Sequence, residues 1–123
     1  MAPSLLPIPT EDEEQKALVE YCDLRGYPRF RIPNETFTRS WSQKRKNKAL
    51  GVSAGVPDLG VIVNNRLIFI ELKRTKGGVV SDYQKAWIAH LEAANVPVRV
   101  CKGFDEAKAF IDEIANEKAP ARG

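Results

Sequence analysis

Asp58, Glu71 and Lys73 are the residues of this chain best spaced for chemistry. Asp58 follows Pro57, and Glu71-Leu72-Lys73 begins thirteen residues after it, at the far end of two short apolar runs, Leu59–Val63 and Arg66–Ile70. Between the runs stands Asn64-Asn65, a pair that tolerates the positive φ angles of a two-residue hairpin turn. With that turn as the loop, Asp58 falls directly opposite Glu71, where Cβ atoms are about 4.5–5.5 Å apart. Two carboxylates so close repel unless a proton or a cation is shared between them. Strand alternation puts Lys73 on the face of Glu71 and turns Leu72 away. Such a group suits phosphodiester hydrolysis, in which a divalent metal activates water and relieves the charge of the leaving oxygen. Mg²⁺, or Mn²⁺ in its place, needs only one or two carboxylates beside water and substrate phosphate. The Leu72 carbonyl could add a main-chain oxygen, and Lys73 could position or deprotonate the water or stabilise developing charge. A Glu-x-Lys on a solvent face is common and usually inert, but a Glu within Ile68-Phe69-Ile70 is costly to bury without a partner.

The elements around these residues follow from local signals. Thr10 with Glu13 three residues on is a capping box opening a helix from Glu11 to about Leu24, with Leu18, Tyr21, Cys22 and Arg25 at helical spacing and Gly26 as its stop. Arg29–Ile32 is a strand candidate ended by Pro33. Residues 34–56 show no periodicity and read as a loop, in which Arg39, Lys44, Arg45, Lys46 and Lys48 surround Trp41. A loop that long in a small domain is usually functional or disordered. Beyond the hairpin, Gly77-Gly78 breaks the chain, and Ser81 with Gln84 opens a second capped helix to about Ala94, with Ile88 and Leu91 as its buried stripe and Trp87 beside them. Asn95 is placed to end it. Val96–Val100 reads as a fourth strand and Asp105 to about Glu117 as a last helix. The expected order is αβββαβα, an α/β fold with a mixed sheet flanked by helices, the step from Ile70 to Val98 being a parallel crossover.

Size and composition narrow the classes. The 123 residues suffice for one compact domain, and the 43% hydrophobic and 28% charged content is that of a globular chain. No apolar run approaches the roughly 20 residues of a membrane span. Met1–Pro9 is broken by three prolines and lacks a basic n-region, so it reads as a flexible arm and not a secretory signal. The domain is expected over residues 10–118, with 119–123 as a tail. Cys22 and Cys101 fall in apolar patterns and read as reduced core residues of a cytoplasmic protein. The net charge of +3 permits nucleic-acid binding without demanding it.

Gly55-Val56-Pro57-Asp58-Leu59, then Phe69-Ile70-Glu71-Leu72-Lys73, then Ser81-x-x-Gln84 resembles the VRR-NUC domain of the PD-(D/E)XK nuclease superfamily, over roughly residues 10–112. Ile32-Pro33-Asn34-Glu35 resembles the segment before the basic loop of small, stand-alone, phage-type members. The resemblance implies a restriction-endonuclease-like fold, metal ligation by Asp58 and Glu71, Lys73 as catalytic lysine and Gln84 facing the site. It implies an acidic residue on the first helix four before a glutamine, which selects Glu11 ahead of Gln15. Asp12, Glu13 and Glu14 crowd the same turn, Glu13 is claimed by the capping box, and Glu14 stands where the family usually has an apolar residue. Glu11 equally suits a helix N-terminus as a favourable charge. Further implied are an Mg²⁺-dependent endodeoxyribonuclease leaving a 5′-phosphate, a homodimer acting on branched DNA such as a Holliday junction, and a place in the cytoplasm of a bacterial or phage-infected cell.

Beside that site, Arg39, Lys44, Arg45, Lys46 and Lys48 would touch phosphates and Trp41 would stack on an unpaired base or pack at a subunit contact. Arg74 and Lys76 would lie near the mouth, where Gly77-Gly78 would let backbone approach a phosphate. Ser81 reads as a cap, His90 as a surface residue, and Tyr83 and Trp87 as packing residues. A flap, nicking or restriction-like nuclease and a non-catalytic DNA-binding module are the alternatives; the second would not need Asp58, Glu71 and Lys73 together.

Overall fold

The computed structural model describes residues 7–33 and 41–117. Its elements are α1 (Glu11–Arg25), β1 (Arg29–Arg31), α2 (Trp41–Ala49), β2 (Leu59–Val63), β3 (Arg66–Lys73), α3 (Asp82–Ala93), β4 (Val98–Lys102) and α4 (Phe104–Ala115). The sheet runs β1-β2-β3-β4, antiparallel except for the parallel pair β3/β4. This is the expected mixed sheet flanked by helices, with one helix more than the sequence pattern suggests and with β4 two residues later than Val96–Val100.

The hairpin forms as its turn residues require. Asn64 and Asn65 take φ of 55° and 61°, and Leu59 pairs with Ile70 and Val63 with Arg66, which is the register that sets Asp58 against Glu71. The Asn64 amide also donates to the carbonyls of Ile114 and Glu117, tying the turn to the end of α4. Alternation then sorts the side chains. Leu59, Val61, Val63, Ile68, Ile70 and Leu72 are buried on one face, where α1 contributes Leu18 and Cys22 and α4 contributes Ala107, Phe110, Ile111 and Ile114. Both free cysteines, Cys22 and Cys101, lie in this core, and burial pushes both thiols up, to about 11 and about 12. Complete burial of each aliphatic side chain is worth about 1.5–3 kcal/mol, so this face anchors the strands that carry the polar residues of the other.

Both capping boxes are present. The Thr10 hydroxyl accepts from the Glu13 N–H at 3.1 Å, and the Ser81 hydroxyl from the Gln84 N–H at 3.2 Å. Gly26 closes α1 at φ 75°, and Asn95, at φ 61°, follows the end of α3. Arg25 is exposed and does not join the buried stripe of α1, which is Glu14, Leu18 and Cys22.

Two expectations are corrected. The basic stretch contains a helix, α2, in place of part of the irregular loop that its lack of periodicity predicts. Its Gln, Lys and Arg residues are good helix formers, Gln43 donates to Asn47 one turn on at 2.8 Å, and Lys46 and Lys48 in the last turn complement the helix dipole. Polar nearly all round, it lacks the apolar stripe by which helices are read from sequence. The stripe expected on α3 is also not buried: Trp87, Ile88 and Leu91 are half-exposed, because α3 packs along the edge strand β4 and does not cover the sheet. Among the described residues no helix is long and apolar enough to cross a membrane.

Candidate active site

Glu71 is the centre of the polar face. It is 2% exposed, and both its oxygens are held. Oε2 accepts the Asp58 backbone N–H at 3.2 Å, which is the cross-hairpin closeness the register dictates. Oε1 accepts from Gln84 Nε2 at 2.6 Å and lies 3.5 Å from Lys73 Nζ. Gln84 thus has two tasks. Its Oε1 accepts the Ser81 N–H of the capping box, and its amide nitrogen reaches Glu71, so the start of α3 is locked to β3 through one side chain.

The carboxylates oppose one another. Burial, then the charge of Asp58, pushes Glu71 up to about 7, against the pull of Lys73 and of the Asp58 N–H. Glu11 is raised by burial and then by Asp58, with Lys73 and Arg31 opposing. Three acids and one ammonium therefore crowd a single cleft of about 390 Å³, lined among others by Glu11, Arg31, Asp58, Glu71, Lys73, Tyr83 and Gln84.

The loop before β2 is shaped to reach this point. Pro57 is buried, and the Asp58 carbonyl accepts from the Ile32 N–H at 2.8 Å, continuing the β1 edge to the acid. Gly55 sits at φ 89° against the first turn of α3, where an added Cβ would fall 2.4 Å from the Tyr83 carbonyl carbon and 2.7 Å from the Gln84 nitrogen. Only glycine allows that approach, and with it the meeting of the Asp58 loop and Gln84.

Glu14 explains the register of α1. Nearly buried, it accepts from the Thr75 hydroxyl at 3.3 Å, and an added Cβ on Gly103 would lie 2.8 Å from one of its oxygens. Gly103 begins α4 without a side-chain cap, so the Glu14 carboxylate stands at a helix N-terminus, where negative charge is stabilised by about 0.3–1 kcal/mol. The Gly103 N–H donates to the Lys73 carbonyl at 2.9 Å. With Glu14 fixed beside the end of β3, Glu11, one turn earlier on the same helix face, lines the cleft, while Asp12 and Glu13 are exposed.

The structure thus brings together Glu11, Asp58, Glu71, Lys73 and Gln84. Leu72 lies between the two site residues of β3 with its side chain in the core. Lys44, Arg45, Lys46 and Lys48 are exposed on α2, which Trp41 begins; Arg74 and Lys76 are exposed in the turn after β3. Arg39 lies outside the described residues. Arg31, Val79 and Tyr83 also line the cleft, and the sequence pattern does not mark them as site residues. Arg31 is placed by the pairing of β1 with β2, opposite Leu59, a non-local register with no sequence signal. Tyr83, expected to pack, is 69% exposed.

The donor set is hard oxygen and suits Mg²⁺ or Mn²⁺, whose charge would offset the burial and the repulsion from Asp58 that raise Glu11 and Glu71. No group of three His, Cys, Asp or Glu residues among those described forms a ready cage.

Comparisons with known proteins bear on the family and the fold. The family model of the VRR-NUC domain matches residues 10–105. A solved structure described as a VRR_NUC domain protein superposes with a TM-score of 0.66 at 24% identity, covering 89% of this chain and 90% of that one, a likeness of fold. No curated protein matches.

Proposed function

Since the chain belongs to the VRR-NUC domain family of PD-(D/E)XK nucleases, we propose that it is a divalent-metal-dependent, structure-selective DNA endonuclease that resolves Holliday junctions as a homodimer. The observation that supports the hydrolytic part of this reading is the double hold on Glu71, by the Asp58 N–H on one oxygen and by Gln84 and Lys73 on the other, in the cleft that Glu71 lines. Asp58, Glu71, Glu11 and the Leu72 carbonyl would hold the cation, which supplies Lewis acidity at the phosphoryl group and a more acidic attacking water.

The chain's own residues do the rest. Water adds to phosphorus in line with the 3′ oxygen, the P–O3′ bond breaks, and a 5′-phosphate and a 3′-hydroxyl remain. Lys73 orients the water and offsets the charge growing on the phosphoryl oxygens. Gln84 keeps Glu71 aimed, because its amide cannot turn without breaking the cap of α3. A two-fold dimer would present two such clefts, one for each nick of a four-way junction.

The test is cleavage of labelled four-way junction, 5′ flap, splayed-arm and linear duplex DNA with Mg²⁺, Mn²⁺ or EDTA. Paired symmetric nicks in the junction, abolished by EDTA, are expected. Preference for the flap would keep the chemistry and discard the resolvase, and metal-independent binding without cleavage would leave a DNA-binding module.

Helix α2 carries four cations and no acid, which supports contact with the DNA arms. Changing Lys44, Arg45, Lys46 and Lys48 together to Gln is expected to weaken junction binding. The plot of log K against log[salt] should flatten by about 0.9 for each duplex phosphate that the helix no longer neutralises. An unchanged slope would remove α2 from the interface.

A further inference from the structure

The lining of the cleft is mixed in chemistry. Arg31 lines it, is exposed and acts on Glu11 by its charge. Val79 and Tyr83 line it as well, 80% and 69% exposed. Neither residue contributes to the core. Two exposed apolar side chains beside a cleft floored by charge are solvated at a cost unless something covers them.

Tyr83 is also fixed in place at its backbone. Its backbone carbonyl lies against Gly55 too closely for any Cβ there, and its neighbour Gln84 holds Glu71 at 2.6 Å. The ring therefore stands on a support one residue away from the contact that aims the central carboxylate. A phosphodiester seated over Glu71 and Lys73 has a nucleobase attached on either side. In a paired duplex that base is stacked inside the helix and its face is out of reach. An unpaired nucleotide can turn its base outward onto an aromatic ring.

We propose that Tyr83, with Val79 in the same lining, is a stacking platform for an unpaired nucleotide next to the scissile phosphate, with Arg31 of the same cleft gripping the phosphate. This rests on the nuclease reading above and names the feature of branched DNA that the site selects. It moves the stacking role from Trp41 on α2 to a residue of the cleft itself. Arg31 supplies a planar donor fork suited to phosphate oxygens, and the tyrosine supplies a face that accepts any base, so selection is for structure and not for sequence.

The experiment compares two substrates that differ only in whether the nucleotide beside the cut is paired, using the full chain with Mn²⁺ and reading kcat/KM for each. The wild type is expected to prefer the unpaired substrate. Tyr83→Ala is expected to lower the ratio of unpaired to paired kcat/KM by about 5- to 150-fold, the worth of one base–aromatic stack. Tyr83→Phe, which keeps the ring, is expected to keep the ratio. Equal losses on both substrates, or a ratio lost in Tyr83→Phe as well, would overturn the platform. In parallel, 2-aminopurine at the flanking position is titrated with protein in EDTA. Quenching with wild type and Tyr83→Phe that is lost in Tyr83→Ala supports stacking, and no quenching with wild type refutes it. Because this readout needs no cleavage, a protein that cuts neither substrate would sink the nuclease reading while the quench still decides the platform.

Discussion

Lys73→Ala is expected to slow cleavage by roughly 10²–10⁴-fold under single-turnover conditions at saturating DNA, the range for removing one positioned group that moves a proton or meets developing charge. The side chain is largely buried, its ammonium is 3.5 Å from Glu71 Oε1, and Gly78 packs on its stem, where an added Cβ would come within 2.8 Å of Lys73 Cβ. A lysine so confined has one place to put its charge, and that place is the cleft. Removing it also takes away the cation that opposes the upward shift of Glu71. Saturating metal should therefore restore only part of the lost rate. Lys73→Arg separates two roles. Guanidinium keeps the charge but gives up no proton in the working range. Recovery by arginine would assign the lysine to charge stabilisation alone, and continued loss would assign it to proton transfer or to a geometry that the longer fork cannot meet. A loss under tenfold in Lys73→Ala, with DNA binding intact, would remove the lysine from the chemistry.

Much of this site is legible in the sequence because its closeness is local. Asn64-Asn65 sets the hairpin, the hairpin sets the register, and the register brings the Asp58 N–H to Glu71. Gln84 is legible for a related reason, since the Ser81 cap fixes which residue occupies the third position of α3. What stays hidden depends on non-local pairing or on missing periodicity. Arg31 reaches the cleft only through the β1/β2 register. Helix α2 has propensity without an amphipathic stripe, so nothing marks its start or its face. Tyr83 and Trp87 read as packing residues because aromatic residues at helical spacing usually are. The position of α3 over the sheet edge, which leaves Trp87 half-exposed and Tyr83 at the cleft rim, is a tertiary fact. Glu14 reads as a misplaced acid, because its partners, Thr75 and the uncapped start of α4, are far away in sequence.

Stability of the metal-free protein is expected to fall as pH rises between about 4.5 and about 7, and Glu71→Gln is expected to remove most of that fall. In the folded chain Glu71 keeps its proton up to about 7, while in the unfolded chain the carboxyl releases it near 4.5. Between those values the native state holds the extra proton, so its stability is full below the unfolded value and is lost as pH passes through the folded one. At about 1.4 kcal/mol per pH unit the loss across that window approaches ~3 kcal/mol, then levels off. Glu11, also raised, adds in the same direction. Glutamine at 71 cannot ionise, so its denaturation midpoint in EDTA should be much flatter across that window. Its amide accepts hydrogen bonds at one end only and so cannot satisfy both the Asp58 N–H and Gln84. Its plateau at low pH should accordingly lie below that of wild type by about 1–3 kcal/mol. Metal reverses the wild-type penalty: at pH 8, a hundredfold excess of Mg²⁺ over its Kd adds about 2.7 kcal/mol to a protein that binds it only when folded. Glu71→Gln should gain far less at the same Mg²⁺ concentration. A wild-type protein whose stability in EDTA is flat from pH 5 to 8 and does not respond to Mg²⁺ would mean that Glu71 is neither frustrated nor a ligand, and would remove the metal from the proposed chemistry without any cleavage assay.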